Sequence, residues 1–204
     1  MTHHHRDVQR VKTLLAQECA RLMADEGVPN FRTAKRKAAV RLAVANKALL
    51  PDNREIEQAL MDHQRLFHAD QQASRLQDLR KTALDAMRFL ARFRPRLVGP
   101  VLSGTAGLSA DIQLHLFADA PQDVALFLME HQVPFETADR RLRLGNGDLA
   151  CLPVFRFGAG DHGLDLTVFT LLAEREAPRS PVDGRPMQRA GLAKVETLLA
   201  NVLD

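Results

Sequence analysis

Apolar residues in the first half of the chain recur at helical spacing. Val8, Val11, Leu15 and Leu22 share one face, and Gly27 with Pro29 punctuates the end of that run. From about Thr33 to Leu50 the chain is rich in Ala, Lys and Arg, all good helix formers, until Pro51 breaks it. Asp52, with Glu55 three residues later, has the form of a capping box. It opens a helix striped by Ile56, Leu60 and Phe67. Leu76, Leu79, Ala83 and Leu90 carry the same spacing into a further helix that closes near Pro95. These patterns predict a helical N-terminal region over 1–82, with short connections.

The texture changes at Leu97. Leu97-Val98 and Val101-Leu102 read as a short buried strand interrupted by Gly99-Pro100. Asp111 to Phe117 alternates polar and apolar residues with period two, as a half-buried strand does. A helix over about Pro121 to His131 presents Val124, Phe127 and Leu128 on one side. Arg141 to Leu144 and Leu149 to Phe157 flank the turn Gly145-Asn146-Gly147, which reads as a hairpin. Leu164 to Leu171 is another β-rich run, and Ala190 to Leu203 an amphipathic helix. Helices first, then strands mixed with helices, predict an α+β chain with one mixed sheet over 83–204.

Composition adds little to this picture, and charge adds more. Of 204 residues, 46% are hydrophobic and 26% charged, ordinary for a globular protein. No apolar run approaches the roughly 18 to 20 residues needed to span a bilayer. The opening Met-Thr-His-His-His-Arg-Asp lacks the apolar core of a signal peptide, so a cytoplasmic location without membrane attachment is expected. Cys19 and Cys151 lie in unrelated segments and suggest no disulfide framework or zinc spacing. The net charge of +3 conceals an asymmetry. Residues 1–98 hold 19 Lys and Arg against 11 acids, and residues 99–204 hold 9 against 14. A polyanion-binding arm beside a metal site would have this form, and so would helix surfaces that are simply Arg-rich.

Strand periodicity puts Asp111, Gln113 and His115 on one face and Ile112, Leu114 and Leu116 on the other. A small-residue loop, Ser103-Gly104-Thr105-Ala106-Gly107, precedes them, and Asp165 shares a face with Thr167 on the later run. An acid on each of two strands, near a glycine-rich turn, suits a hard divalent cation and a triphosphate. Mg²⁺ takes few protein carboxylates and shares its shell with substrate phosphates. A second set, Asp111 with His115 and His162, has donors suited to a transition metal.

The stretch from Gly99 to Leu114, Gly-Pro-Val-Leu-Ser-Gly-Thr-Ala-Gly-Leu-Ser-Ala-Asp-Ile-Gln-Leu, resembles the signature of the DNA polymerase β-like nucleotidyltransferase superfamily. That signature is a Gly-Ser pair on a turn, a second Gly about five residues after the first, and a strand of the form Ser-Asp-hydrophobic-Asp-hydrophobic about twelve residues on. Gly99, Gly104, Asp111, Ile112 and Leu114 match in register. The resemblance spans roughly 83–172 and extends to bacterial proteins in which a helical N-terminus precedes this core. It implies a nucleotidyltransferase-like mixed sheet packed with helices. It further implies transfer of a nucleoside monophosphate from an NTP to an acceptor. Asp111 and Asp165 would be the catalytic, Mg²⁺-holding carboxylates, and Gly99, Ser103, Gly104, Thr105 and Gln113 would bind the nucleotide.

The chain departs from the signature at three positions. Pro100 stands where the family has Ser, and has neither hydroxyl nor backbone N–H to offer a phosphate. Ala110 replaces the Ser before the first acid, and Gln113 replaces the second acid of the pair. A neutral amide offers one carbonyl oxygen and no charge. Two further readings therefore stand beside the transferase: a catalytically inactive nucleotide- or RNA-binding module on the same fold, and a regulator that binds partners through its N-terminal helices. Two basic groups could meet phosphate: Arg32, Lys35, Arg36 and Lys37 with Arg41, and Arg88, Arg92, Arg94 and Arg96 near Gly99. Without Trp or Tyr, single-stranded nucleic acid would find little to stack on.

Overall fold

A computed structural model describes residues 2–67, 69–108 and 110–200. Its architecture is α+β, with helices first and a five-stranded mixed sheet after them. The chain divides into two compact units. The first comprises residues 1–73 with 105–110 and 181–183, and the second the remainder. Among the described residues no helix is long and apolar enough to cross a membrane.

The first unit is helical. Helix α1 (Thr2–Asp25) packs against α2 (Phe31–Arg41) and α3 (Asn53–Phe67). Leu15, Cys19, Leu22, Ala34, Ala38 and Ile56 form its core. Small residues on α2 allow that helix to lie close to its neighbours. The helical run predicted to Leu50 ends at Arg41, and only a 3₁₀ turn, Lys47–Leu49, follows. Ala43 takes a left-handed backbone conformation, which an α-helix cannot continue through. The capping box at α3 forms as the sequence predicts: Glu55 N–H donates to Asp52 Oδ1 at 2.8 Å and Asp52 N–H to Glu55 Oε2 at 2.7 Å. The expected stripe changes at its end. Phe67 is exposed, and Gln64 is buried in line with Ile56 and Leu60. The reason is polar: Gln64 Nε2 donates to the carbonyls of Thr105 and Ala106 at 3.4 and 3.3 Å, backbone groups that need donors once buried.

Helix α4 (Ala69–Phe89) leads to β1 (Arg96–Val98), α5 (Gly99–Ser103), β2 (Ile112–Phe117) and α6 (Pro121–Glu130). Strands β3 (Glu136–Arg143), β4 (Leu149–Ala159) and β5 (His162–Phe169) and helix α7 (Leu192–Ala200) complete the chain. The continuation of α7 expected to Leu203 lies outside the described residues. Val101-Leu102, read as strand, is instead the middle of α5. Pro100 at the start of a helix loses no intrahelical hydrogen bond, and its φ is set for one.

Sheet order is β1-β2-β5-β4-β3, with β2 and β5 parallel and the other pairs antiparallel. Ile112, Leu114, Leu116, Leu164, Leu166 and Val168 bury one face, and α6 packs on β5 through a helix whose buried residues are Val124, Phe127 and Leu128. The other face of β2 is not half-exposed as its alternation suggests. His115, Asp165 and Thr167 are buried there, with Phe117 and Phe169. Arg189 closes over this face, its guanidinium 5.0 Å from the centres of both phenyl rings and hydrogen bonded to the carbonyls of Ala173, Glu174 and Glu176. The outer edge of β1 is met by Ala190, which exchanges two backbone hydrogen bonds with Leu97 at 2.8 and 2.9 Å.

Ile56, fully buried on α3, is the anchor of the helical unit. Ile56→Ala is expected to lower its unfolding free energy by about 2 to 5 kcal/mol through lost contact and a residual cavity. Asp52→Ala, which removes only the cap, should cost about 1 kcal/mol. Urea denaturation followed by circular dichroism measures both.

Candidate functional site

The register of β2 and β5 decides which side chains meet. Gln113 is level with Asp165, and His115 with Thr167. Asp111 precedes the first residue of β2 and lies beside Gly163, where an added Cβ would overlap its carboxylate. Asp111, Gln113 and Asp165 thus share one face of neighbouring parallel strands. Asp111 is exposed at the strand end, and no hydrogen bond or ion pair to a described residue engages its carboxylate.

Gly99 joins this group from β1. Its φ of +70° favours glycine, and a Cβ there would come 2.6 Å from Gln113 Oε1. The amide of Gln113 therefore occupies the space above the glycine that the family resemblance assigns to phosphate. Ser103 and Gly104 turn elsewhere. The Ser103 hydroxyl donates to the Pro100 carbonyl at 3.4 Å, and Gly104 faces Leu76 and Arg80 of α4. Arg80, in turn, donates to the carbonyls of Val101 and Leu102 at the end of α5. Thr105 belongs to the helical unit, where its carbonyl accepts from Gln64. Of the expected phosphate-turn residues, Gly99 alone is placed against Gln113.

Asp165 is 3% exposed, and it is not alone. Its Oδ2 accepts from Arg140 Nη2 at 2.7 Å and from Arg156 Nε at 3.1 Å. Arg140 also reaches the Thr167 hydroxyl at 3.3 Å. Asp165 Oδ1 is buried without a hydrogen-bond partner. Two guanidiniums therefore supply the positive charge that a buried carboxylate requires. Beside them opens a cleft of about 460 Å³ whose polar lining is Asp111, Glu136 and Arg156, with Phe135 and Phe157 among its walls.

The fit to a divalent cation follows from this donor set. Asp111 offers a carboxylate and Gln113 an amide oxygen, the oxygen donor types that a hard cation sharing its shell with phosphates and water would take. Asp165 is committed to arginines, and among the described residues no cluster of three acidic, His or Cys side chains gathers. The transition-metal set is not assembled: His115 is buried, and its Nδ1 accepts from Arg189 Nε at 3.1 Å. Burial pushes the His115 imidazole down to about 3, with Arg189 and Arg140 adding repulsion.

The second basic group is spent on structure. Arg94 and Arg96 both pair with Glu174, at 2.9 and 2.8 Å, and hold its carboxyl below the usual range. Arg88 pairs with Glu196 at 2.9 Å, and Arg92 lies over the Phe93 and Phe127 rings. In the helical unit Arg41 pairs with Glu18 and Glu26. Arg140, Arg156 and Glu136 escaped the sequence reading, although a signal for Arg156 exists. Gly160-Asp161 is a two-residue turn between β4 and β5, and counting back from it sets Arg156 opposite Asp165.

Comparison with protein-family models, with curated proteins and with solved structures finds no match to this chain.

Replacing both Arg140 and Arg156 by Met should lower stability by about 3 to 5 kcal/mol, because an uncompensated buried carboxylate is left behind. Asp165→Asn should cost less, since Arg156, 48% exposed, can turn to water and Arg140, 26% exposed, keeps its bond to Thr167. Chemical denaturation of the three proteins checks the order.

His115 supplies a pH test. Its folded value lies below the unfolded value of 6.5, so the unfolded chain binds the proton first. The resulting stability is complete above pH 6.5 and is lost as pH falls from there toward 3. His115→Gln, which keeps an acceptor for Arg189, should flatten the stability–pH profile in that window by up to about 1.4 kcal/mol per pH unit.

Proposed function

We propose that the sheet unit carries a nucleotidyltransferase-type site that binds an NTP with a single Mg²⁺. The observation that carries this reading is the placement of Asp111, Gln113 and Asp165 on one face of two parallel strands in register, with Gly99 against Gln113. Had the two acids faced opposite sides of the sheet, the motif resemblance would have had no site to serve. Asp111 is the cation ligand, with the Gln113 oxygen beside it. Arg156 borders the same cleft and is 48% exposed, so it can meet a phosphate oxygen without losing Asp165. Held by Asp111 with the Gln113 oxygen beside it, Mg²⁺ would supply neutralisation of phosphate charge. In the transferase reading the acceptor oxygen would bond to the α-phosphorus of the NTP as its bond to pyrophosphate breaks, and Asp165 would take the acceptor's proton.

A specific observation favours the second reading, binding without transfer. Two arginines hold the Asp165 carboxylate, and Gln113 withholds the charge of a second acid. Nucleotidyl transfer relies on positioning and charge neutralisation at the phosphates, and a one-cation site supplies only part of this. The two unpaired cysteines fit the reducing environment of the cytoplasm.

Thermal shift and pyrophosphate release with each NTP, in Mg²⁺ or Mn²⁺, separate these outcomes. Stabilisation by NTP with metal is expected, and pyrophosphate release is expected to be slow or absent. Absence of any shift with every nucleotide would overturn the proposal. Gln113→Asp should raise Mn²⁺ affinity by roughly tenfold, the effect of about 1.4 kcal/mol from one added carboxylate. Unchanged affinity would show that Asp111 and residue 113 do not serve one cation.

A further inference from the structure

The helical unit carries a groove that the nucleotide reading does not use. Its volume is about 610 Å³, and it runs along the end of α2 and the segment after it, to Leu50. The floor is apolar, built from Val40, Val44 and Leu50 with alanines between them. Val40 is 77% exposed, an isolated aliphatic side chain on an otherwise polar helix surface. Arg32, Lys35, Arg36 and Lys47 stand around this floor, and no acidic residue is among the described residues that line it. These four cations differ from their neighbour Arg41, which is tied to Glu18 and Glu26. Among the described residues no carboxylate forms an ion pair with any of these four cations.

We propose that this groove docks an acidic amphipathic segment of a partner protein. An apolar helix face seats on the Val40–Val44–Leu50 floor, and carboxylates along its borders meet the four cations. The surface asks for both kinds of contact. A floor of aliphatic side chains gains from covering only if the ligand brings apolar area, and the ring of cations gains only if it brings negative charge. A nucleic acid supplies the charge but not the match to the floor. No phenylalanine lines the groove, and the chain has no Trp or Tyr to stack on a base. The left-handed backbone at Ala43, within the groove wall, ends α2 and turns the chain so that Lys47 comes round to the same groove as Arg36.

The test uses the full chain and a fluorescein-labelled helical peptide of about 18 residues, Leu on one face and Glu on its flanks. Three controls accompany it: the same peptide with Gln for Glu, the Glu peptide with Ser for Leu, and a single-stranded RNA of about 20 nucleotides. Fluorescence anisotropy is expected to show binding of the Glu–Leu peptide, weakened by added salt, and at least about tenfold weaker binding of both altered peptides. Val40→Glu should weaken the Glu–Leu peptide by about tenfold or more, and so should the charge reversal Lys35→Glu with Arg36→Glu. Val40 and Arg36 are exposed and Lys35 is partly buried, so circular dichroism melts accompany each variant, and Val40→Glu, at the most exposed position, should melt with the parent protein. Failure of the peptide to bind overturns the proposal. So does RNA binding that is tighter than the peptide's and insensitive to Val40→Glu, because the groove would then serve as a phosphate patch.

Discussion

The in-register parallel pairing of β2 with β5 is the constraint from which the sheet unit follows. Parallel neighbours cannot be joined by a tight turn, and the chain between Phe117 and His162 makes the crossover with α6 and the β3–β4 hairpin. Because β4 then returns directly into β5, Arg156 is level with Asp165 on one side while Gln113 is level with it on the other. A carboxylate thus stands buried at the centre of the sheet. Such a group must be compensated, and Arg140 and Arg156 are the compensation. The same row that assembles the candidate site therefore also supplies the charges that restrain it.

Much of this architecture was legible in the residues. The capping box at Asp52, the helix of Val124 and Leu128, and the strand of Ile112, Leu114 and Leu116 all have local causes, namely backbone donors to be satisfied and one apolar face to be buried. The hairpin about Gly145-Asn146-Gly147 was legible for the same reason. What local pattern cannot contain is the pairing of distant segments. The period-two alternation of β2 looks the same whether its polar face meets water or Arg189, which lies more than seventy residues away. Gln64 was passed over in favour of Phe67 because the buried carbonyls that call for an amide belong to residues 105 and 106. At the site, the face shared by Asp111 and Gln113 followed from periodicity, but the arginines that claim Asp165 required strand register.

The charge asymmetry along the sequence resolves differently in its two halves. Near the sheet the arginines are largely consumed by Glu174, Glu196 and Asp165, so they act as cross-links within the fold. On α2, Arg32 and Arg36 keep their charges turned outward beside aliphatic side chains. The excess of positive charge in the first half thus includes a surface with a shape, whereas the arginines approaching Gly99 mainly fix a backbone. Counting charges could not separate the two cases, since an arginine beside a glutamate and one beside a valine contribute equally to the sum.

The two ends of the sheet are finished in different ways. Against β1, Ala190 supplies one bridged residue and covers the backbone that would otherwise continue the ladder. Among the described residues no sixth strand pairs with β3, yet five of its eight residues are charged: Glu136, Asp139, Arg140, Arg141 and Arg143. A strand from another molecule could add here only by bringing its own side chains against this row of mixed charge. The long hairpin that holds Asp165 in place therefore also presents a charged rim, of the kind that disfavours addition of a strand from another molecule.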